Sequence, residues 1–189
     1  MTISKVLNQI DNDLPDSLKR LFELLRIQSI STDPAYKDEC QKAADWLVSD
    51  LNSIGFNASK RETPGHPMVI GHSEGAGPHI MFYGHYDVQP ADPLELWSNP
   101  PFEPIIEETK KGKVIRARGA SDDKGQLMTF VEACRAWQKV NGQLPVKVSI
   151  FFEGEEESGS PSLVPFMKKN ANELTADIAL ICDTGLYGE

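Results

Sequence analysis

The sequence predicts an α/β fold, a three-layer sandwich built on a mixed, largely parallel sheet. Two apolar patterns alternate along the chain: positions recurring every three to four residues, which is the helical period, and short continuous runs rich in Val, Ile and Phe, which mark buried strands. Helices alternating with such strands cover both faces of a sheet. Composition agrees, because 189 residues with 40% hydrophobic and 25% charged side chains suffice for one sizeable core.

Leu18, Leu21, Phe22 and Leu25, and then Cys40, Ala43, Ala44, Leu47, Leu51 and Ile54, recur at helical spacing. Two amphipathic helices therefore open the chain, the second stopped by Gly55. Beyond Gly55 the period shortens. Met68–Ile70, His79–Tyr83, Val146–Phe152 and Asp177–Ile181 read as strands, the last three as buried ones. Ile105–Glu108 and Lys113–Ala117, split by Lys111 and Gly112, read as a hairpin. Asp123–Val140 carries Leu127, Phe130, Val131, Cys134 and Trp137 at helical spacing, so a helix follows directly after an acidic pair. A further helix starts near Ser160 or Ser162, with Pro161 and Pro165 in or near its first turn. Gln89–Pro104 holds five prolines with Trp97 and Phe102 and cannot be a central strand, since proline lacks the ladder donor. It is expected to be an ordered surface loop, a rigid connector whose aromatics plug the core.

The formal net charge of −9 argues against a surface that tracks nucleic-acid phosphates. Lys110, Lys111 and Lys113, and the pair Lys168 and Lys169, read as solvated turns. Cys40, Cys134 and Cys182 fall on separate apolar segments without CxxC spacing, which suits small core residues in a reducing compartment. No segment reaches the roughly 18 apolar residues of a membrane span, and the stretch up to Asp13 lacks an apolar signal core, so a cytoplasmic location is the default expectation.

Acidic stations stand where hydrophobic runs stop, and loops at the carboxyl ends of strands in open α/β sheets converge on one crevice. His85 is a ligand suited to zinc, cobalt or manganese, and Asp87 is spaced to accept a hydrogen bond from its second ring nitrogen. Alone, that pair reads as a satisfied structural histidine. Asp122 and Asp123 are adjacent carboxylates whose joint ionisation near a sheet edge calls for a compensating cation, and one aspartate can bridge two metals about 3.5–4 Å apart. The simpler reading makes Asp122 a helix N-cap and Asp123 a first-turn acid. Glu155, Glu156 and Glu157 close an apolar strand, and three like charges there are best divided between metal ligand and general base. By itself such a run is a solvated strand end. Asp183 ends the last strand and adds an oxygen ligand, although a lone Asp before Thr184-Gly185 is ordinarily a turn residue. Together, one imidazole and several carboxylates at successive strand ends point to a two-metal hydrolase.

Gly84-His85-Tyr86-Asp87-Val88-Gln89-Pro90, Arg118-Gly119-Ala120-Ser121-Asp122-Asp123-Lys124-Gly125 and Glu153-Gly154-Glu155-Glu156-Glu157-Ser158-Gly159-Ser160 closely resemble the M20 metallopeptidases. Members of that family are dipeptidases, carboxypeptidases and amino-acid deacylases. Leu96-Trp97 followed by Pro100-Pro101-Phe102 is most similar to the dipeptidase branch that includes carnosinase-like enzymes. The resemblance implies a zinc-aminopeptidase-like fold, two divalent metal ions, zinc first with manganese or cobalt as alternatives, and a dipeptide or small peptide as substrate. It implies that His85, Asp122 and Asp183 hold one ion and Asp122 and Glu157 the second, with Glu156 as general base and Asp87 as the residue orienting His85. A slip of one residue would instead make Glu155 the base and Glu156 the ligand. A cis peptide between Asp122 and Asp123 is also implied. Family members are usually more than twice this length, so residues 1–189 are expected to be the N-terminal part of the catalytic domain. The lid or dimerisation domain, the returning C-terminal segment and any homodimer would belong to the complete protein. N-acyl amino acids are the alternative substrates, and a metal-binding module without turnover is the alternative role.

Overall fold

The computed structural model describes residues 3–110 and 112–185. Its elements are α1 (Ile3–Leu25), α2 (Lys37–Ser53), β1 (Asn57–Arg61), β2 (Met68–Ser73), β3 (His79–His85), β4 (Ile105–Thr109), β5 (Gly112–Arg116), α3 (Lys124–Asn141), β6 (Lys147–Glu153), α4 (Leu163–Lys169), α5 (Ala171–Leu174) and β7 (Ile178–Ile181). Five strands form one sheet in the order β1-β2-β6-β3-β7, and β4 and β5 form a separate antiparallel hairpin. Lys111, assigned to the hairpin turn, lies outside the described residues. β3 runs parallel to both β6 and β7, whereas β2 is antiparallel to β6 and β1, which makes the sheet mixed.

Strand alternation divides the core between two faces. Val69, Phe82, Val148, Ile150 and Phe152 pack with residues of α1, α2 and α3, among them Leu24, Leu47, Leu127 and Val131. The intervening Met68, Ile70 and Phe151 pack with Leu174, Leu163 and Phe166 of the α4–α5 side. The predicted three layers follow from this period of two. α1 and α3 are joined where Arg20 donates to both Glu132 carboxylate oxygens at 2.7 and 2.6 Å. Arg135 extends the tie to α2 through Asp50 at 2.6 Å. At the start of α3, fully buried Lys124 donates to the Leu24 and Ile27 carbonyls at 3.2 and 2.7 Å, satisfying acceptors at the end of α1.

Three expectations need correction. β7 is exposed rather than buried, with Ile178 at 45% and Ile181 at 66%, because it is an edge strand paired on one side only among the described residues. β3 is mostly half-buried, since its Met81 and Tyr83 meet only the thinner α4–α5 layer. Trp97 and Phe102 are half-buried and outside both core clusters. They brace the proline-rich loop itself: Trp97 donates to the Ala91 carbonyl at 2.8 Å, and the Arg118 guanidinium stacks 5.5 Å from its ring centre while donating to the Pro90 carbonyl at 3.0 Å. β1 has no signature in the sequence, since Asn57-Ala58-Ser59-Lys60-Arg61 carries no apolar alternation; pairing with β2 makes it a strand. Cys40 and Cys134 are buried free thiols, whereas Cys182 is partly exposed. Among the described residues no helix is long and apolar enough to cross a membrane.

Candidate metal centre

Three parallel strands finish at one edge of the sheet. His85 is the last residue of β3, opposite Glu153 at the end of β6, and Asp183 follows β7 by two residues. The Asp122-Asp123 pair arrives at the same edge because it immediately precedes α3. As a result the ligand atoms of His85, Glu156 and Asp183 lie within 4.8 Å of one another.

His85 is fully buried and its two nitrogens face different ways. Nδ1 lies 3.1 Å from the Asp87 carbonyl oxygen and 3.3 Å from Asp87 Oδ1, so the carbonyl is the nearer acceptor and the carboxylate stands beside it. Nε2 points outward, 3.0 Å from Asp122 Oδ1 and 3.9 Å from Glu156 Oε2. Burial pulls the imidazole pKa down, but the Asp87 hydrogen bond and the charges of Asp87, Asp123 and Asp122 outweigh it and push it up to about 10. The edge thus favours positive charge at Nε2.

Asp123 occupies the N-cap position of α3, yet its side chain makes no cap hydrogen bond. Its Oδ2 instead accepts the His85 main-chain N–H at 3.0 Å, across from Gly84, where a Cβ would stand 2.7 Å from that oxygen. Burial pushes its pKa up to about 7, and Oδ1 is buried without a hydrogen-bond partner among the described residues. Asp122 is joined to it by a cis peptide, as the family resemblance implied, and its side chain is 60% exposed. The helix-cap reading of this pair does not hold: Asp123 rather than Asp122 stands at the N-cap, neither carboxylate caps α3, and instead one braces the histidine while the other faces outward beside Nε2.

The three glutamates part company. Glu155 is buried and accepts the main-chain N–H groups of His66 and Ser162, each at 2.9 Å, which commits both of its carboxylate oxygens. Glu156 faces His85. Glu157 accepts from Gln89 Nε2 at 2.6 Å and is absent from the three-residue cluster. Burial raises the pKa of both Glu156 and Glu157; the Asp183, Asp87 and Asp122 charges add to it for Glu156, and Asp122 leads the repulsive neighbours of Glu157. Asp122 thus lies 3.0 Å from His85, and its charge acts on Glu157.

Several supporting residues carry no signal in the sequence patterns. Ser31 Oγ donates to Asp87 Oδ2 at 2.5 Å, while the N–H groups of Glu156 and Glu157 donate to the same carboxylate at 3.3 and 3.0 Å. Gln126 Oε1 accepts from Thr184 N and Oγ1 at 3.2 and 2.8 Å, fixing the segment that carries Asp183. Tyr83 donates to Glu153, whose Oε2 is buried without a partner among the described residues. No periodicity marks Ser31 or Gln126. Gln89 was within reach, since it lies inside the His85 motif.

The donor set suits divalent cations: a buried imidazole with its inner nitrogen committed, and carboxylates crowding its outer one. The sequence profile of peptidase family M20/M25/M40 matches residues 81–188, more than half of the chain and all of the segment carrying these residues. The chain belongs to this peptidase family. Among M20 proteins it is similar to the Cys-Gly metallodipeptidase DUG1 of Saccharomyces cerevisiae, 30% identical over 98% of this chain and 41% of the yeast protein. The solved structure of that dipeptidase, Dug1p, superposes with a TM-score of 0.88 over 99% of this chain and 42% of the yeast chain. An M20 metallo-carboxypeptidase structure from Sulfolobus solfataricus is 37% identical, with a TM-score of 0.81 over 90% of this chain and 38% of its own. The human Beta-Ala-His dipeptidase is 26% identical over 95% of this chain and 38% of its length. The M20 segment described here thus spans about two-fifths of the curated relatives it matches.

Proposed function

We propose that this chain supplies the metal centre of a two-metal hydrolase that cleaves the amide bond of dipeptides or of peptides with a free carboxyl end. The observation that carries the reading is the convergence of His85, Glu156 and Asp183 within 4.8 Å at the carboxyl ends of parallel strands, with Asp122 3.0 Å from His85. His85, Asp122 and Asp183 would hold one divalent cation and Asp122 and Glu157 the second, zinc foremost, manganese or cobalt otherwise. The 3.0 Å approach of Asp122 to His85, together with its charge acting on Glu157, supports its role as the bridge. When bound, the cations polarise the scissile carbonyl and lower the proton affinity of the attacking water.

Glu156 is the general base: it faces the imidazole, takes the proton of the water as its oxygen bonds the carbonyl carbon, and hands that proton to the leaving amine nitrogen as the C–N bond breaks. Asp87 holds the ring of His85 by its Nδ1 side, which leaves Nε2 for the cation. The inward commitment of Glu155 supports the pairing of Glu156 as base with Glu157 as ligand over the register one residue earlier.

The test combines zinc titration with hydrolysis of Cys-Gly, β-Ala-His and an N-acetyl amino acid. Glu156→Gln is expected to lower dipeptide hydrolysis by about 100-fold or more, within the range general bases supply, while zinc affinity changes little. Undiminished hydrolysis would remove Glu156 as base. Cleavage of the N-acyl substrate alone would assign a deacylase, and zinc binding without any turnover would assign a metal-binding module.

A further inference from the structure

Glu155 has no chemical task in the reading above, yet it is the best-anchored of the three glutamates. Its side chain is 2% exposed, and both carboxylate oxygens are engaged: Oε1 by the N–H of His66 and Oε2 by the N–H of Ser162, each at 2.9 Å. Its own carbonyl accepts from Ser158 N at 3.1 Å and Ser160 N at 2.7 Å, which closes the turn that carries Glu156 and Glu157. The 63–66 loop on the other side of the clamp is itself tied to the centre. His66 Nε2 lies 3.2 Å from the Ser31 carbonyl, Ser31 Oγ donates to Asp87, and Asp87 accepts the N–H groups of Glu156 and Glu157. A closed circuit of hydrogen bonds therefore runs from Glu155 through His66, Ser31 and Asp87 back to the acidic turn. Gly65 belongs to it, because a Cβ there would stand 1.4 Å from Glu155 Oε1.

We propose that Glu155 is a positioning residue whose carboxylate locks the acidic turn against the 63–66 loop and so sets how Glu156 and Glu157 are presented to the cations. The inference rests on the metal-centre reading and extends it to a residue that touches neither metal nor substrate. A turn held from one side only by Asp87 could pivot; a second anchor through Glu155 fixes its orientation. Glu155 also lines an open cleft of about 650 Å³, so shortening it leaves no sealed cavity.

Cobalt(II) is titrated into the chain and into Glu155→Ala, Glu155→Gln, Gly65→Ala and His85→Ala, with binding read from the visible ligand-field bands. Circular dichroism and thermal melting of the metal-free proteins establish that each variant folds. Glu155→Ala and Gly65→Ala are expected to weaken cobalt binding about tenfold or more, the effect typical of lost outer hydrogen bonds, and to alter the band envelope. Glu155→Gln, which keeps one acceptor oxygen, should fall between them and wild type. A structural staple would change melting alone, so wild-type spectra and affinity in folded Glu155→Ala, or in folded Gly65→Ala and Glu155→Gln should the alanine variant not fold, overturn the proposal. Loss of the spectrum in His85→Ala but not in the Glu155 variants sinks the clamp and spares the metal centre. Equal binding by wild type and His85→Ala, or none by either, sinks both.

Discussion

At Gly84 the absence of a side chain decides how close two segments come. The Asp123 carboxylate reaches the His85 N–H only because nothing stands between it and the β3 backbone, and a methyl group there would sit 2.7 Å from Oδ2. Gly84→Ala is expected to displace Asp123 and cost about 1–3 kcal/mol, as overpacking in a filled interior does, measurable by urea denaturation. A stability within about 0.5 kcal/mol of wild type would show that Asp123 can yield. This contact was not legible in the sequence. Gly84 and Asp123 both lie in the motifs around His85 and Asp122, but their proximity depends on how α3 docks on β3, which no local pattern encodes.

Between elements, a polar network joins α1, α2 and α3 through Arg20, Glu132, Arg135 and Asp50. Burial raises the Glu132 pKa, but hydrogen bonds from Arg20 and Ser17 and the charges of Arg135 and Arg20 carry it below its ordinary 4.5. A carboxyl lowered in the folded state contributes stability that is fully present above its unfolded value and lost as pH falls through its folded one. Glu132→Gln is therefore expected to be less stable by about 2 kcal/mol at pH 7, a loss typical of hydrogen bonds to a charged group. The gap to wild type should close as pH drops below 4.5. A gap constant down to pH 3 would mean that packing rather than charge holds the helices. The helices themselves were legible from their apolar spacing, although α1 runs back to Ile3 through Pro15, an extension that Ile3, Val6, Leu7, Ile10 and Leu14 carry at the same helical spacing. The partners of Arg20 were not, because Arg20 and Glu132 are 112 residues apart.

Across the whole molecule, strand order governs what is exposed. Ile178, Leu180 and Ile181 lie uncovered on edge strand β7, whose outer backbone groups pair with no strand among the described residues and can template association. Light scattering is expected to show mass rising with protein concentration, and Ile181→Lys should suppress the rise; a constant monomer mass for the unaltered chain would contradict it. The strand was recognisable from Asp177–Ile181 alone, yet its place at the edge emerges only from pairing with β3. The convergence of the candidate site was more legible than the sheet's rim for a related reason: parallel strands deliver their carboxyl ends to one side, so acidic residues at several strand ends already imply a meeting point. Those residues come from positions 85, 122, 156 and 183, drawn from nearly a hundred residues of chain, and the three carboxylates among them repel one another. A cation captured there would act as a fastener between β3, α3, β6 and β7, and chelation should loosen that rim. Saturating zinc at about 100 times its dissociation constant should add about 2.7 kcal/mol to unfolding, seen as a melting temperature that climbs with zinc and falls back with chelator. A melt indifferent to both would mean that the rim is held without the ion.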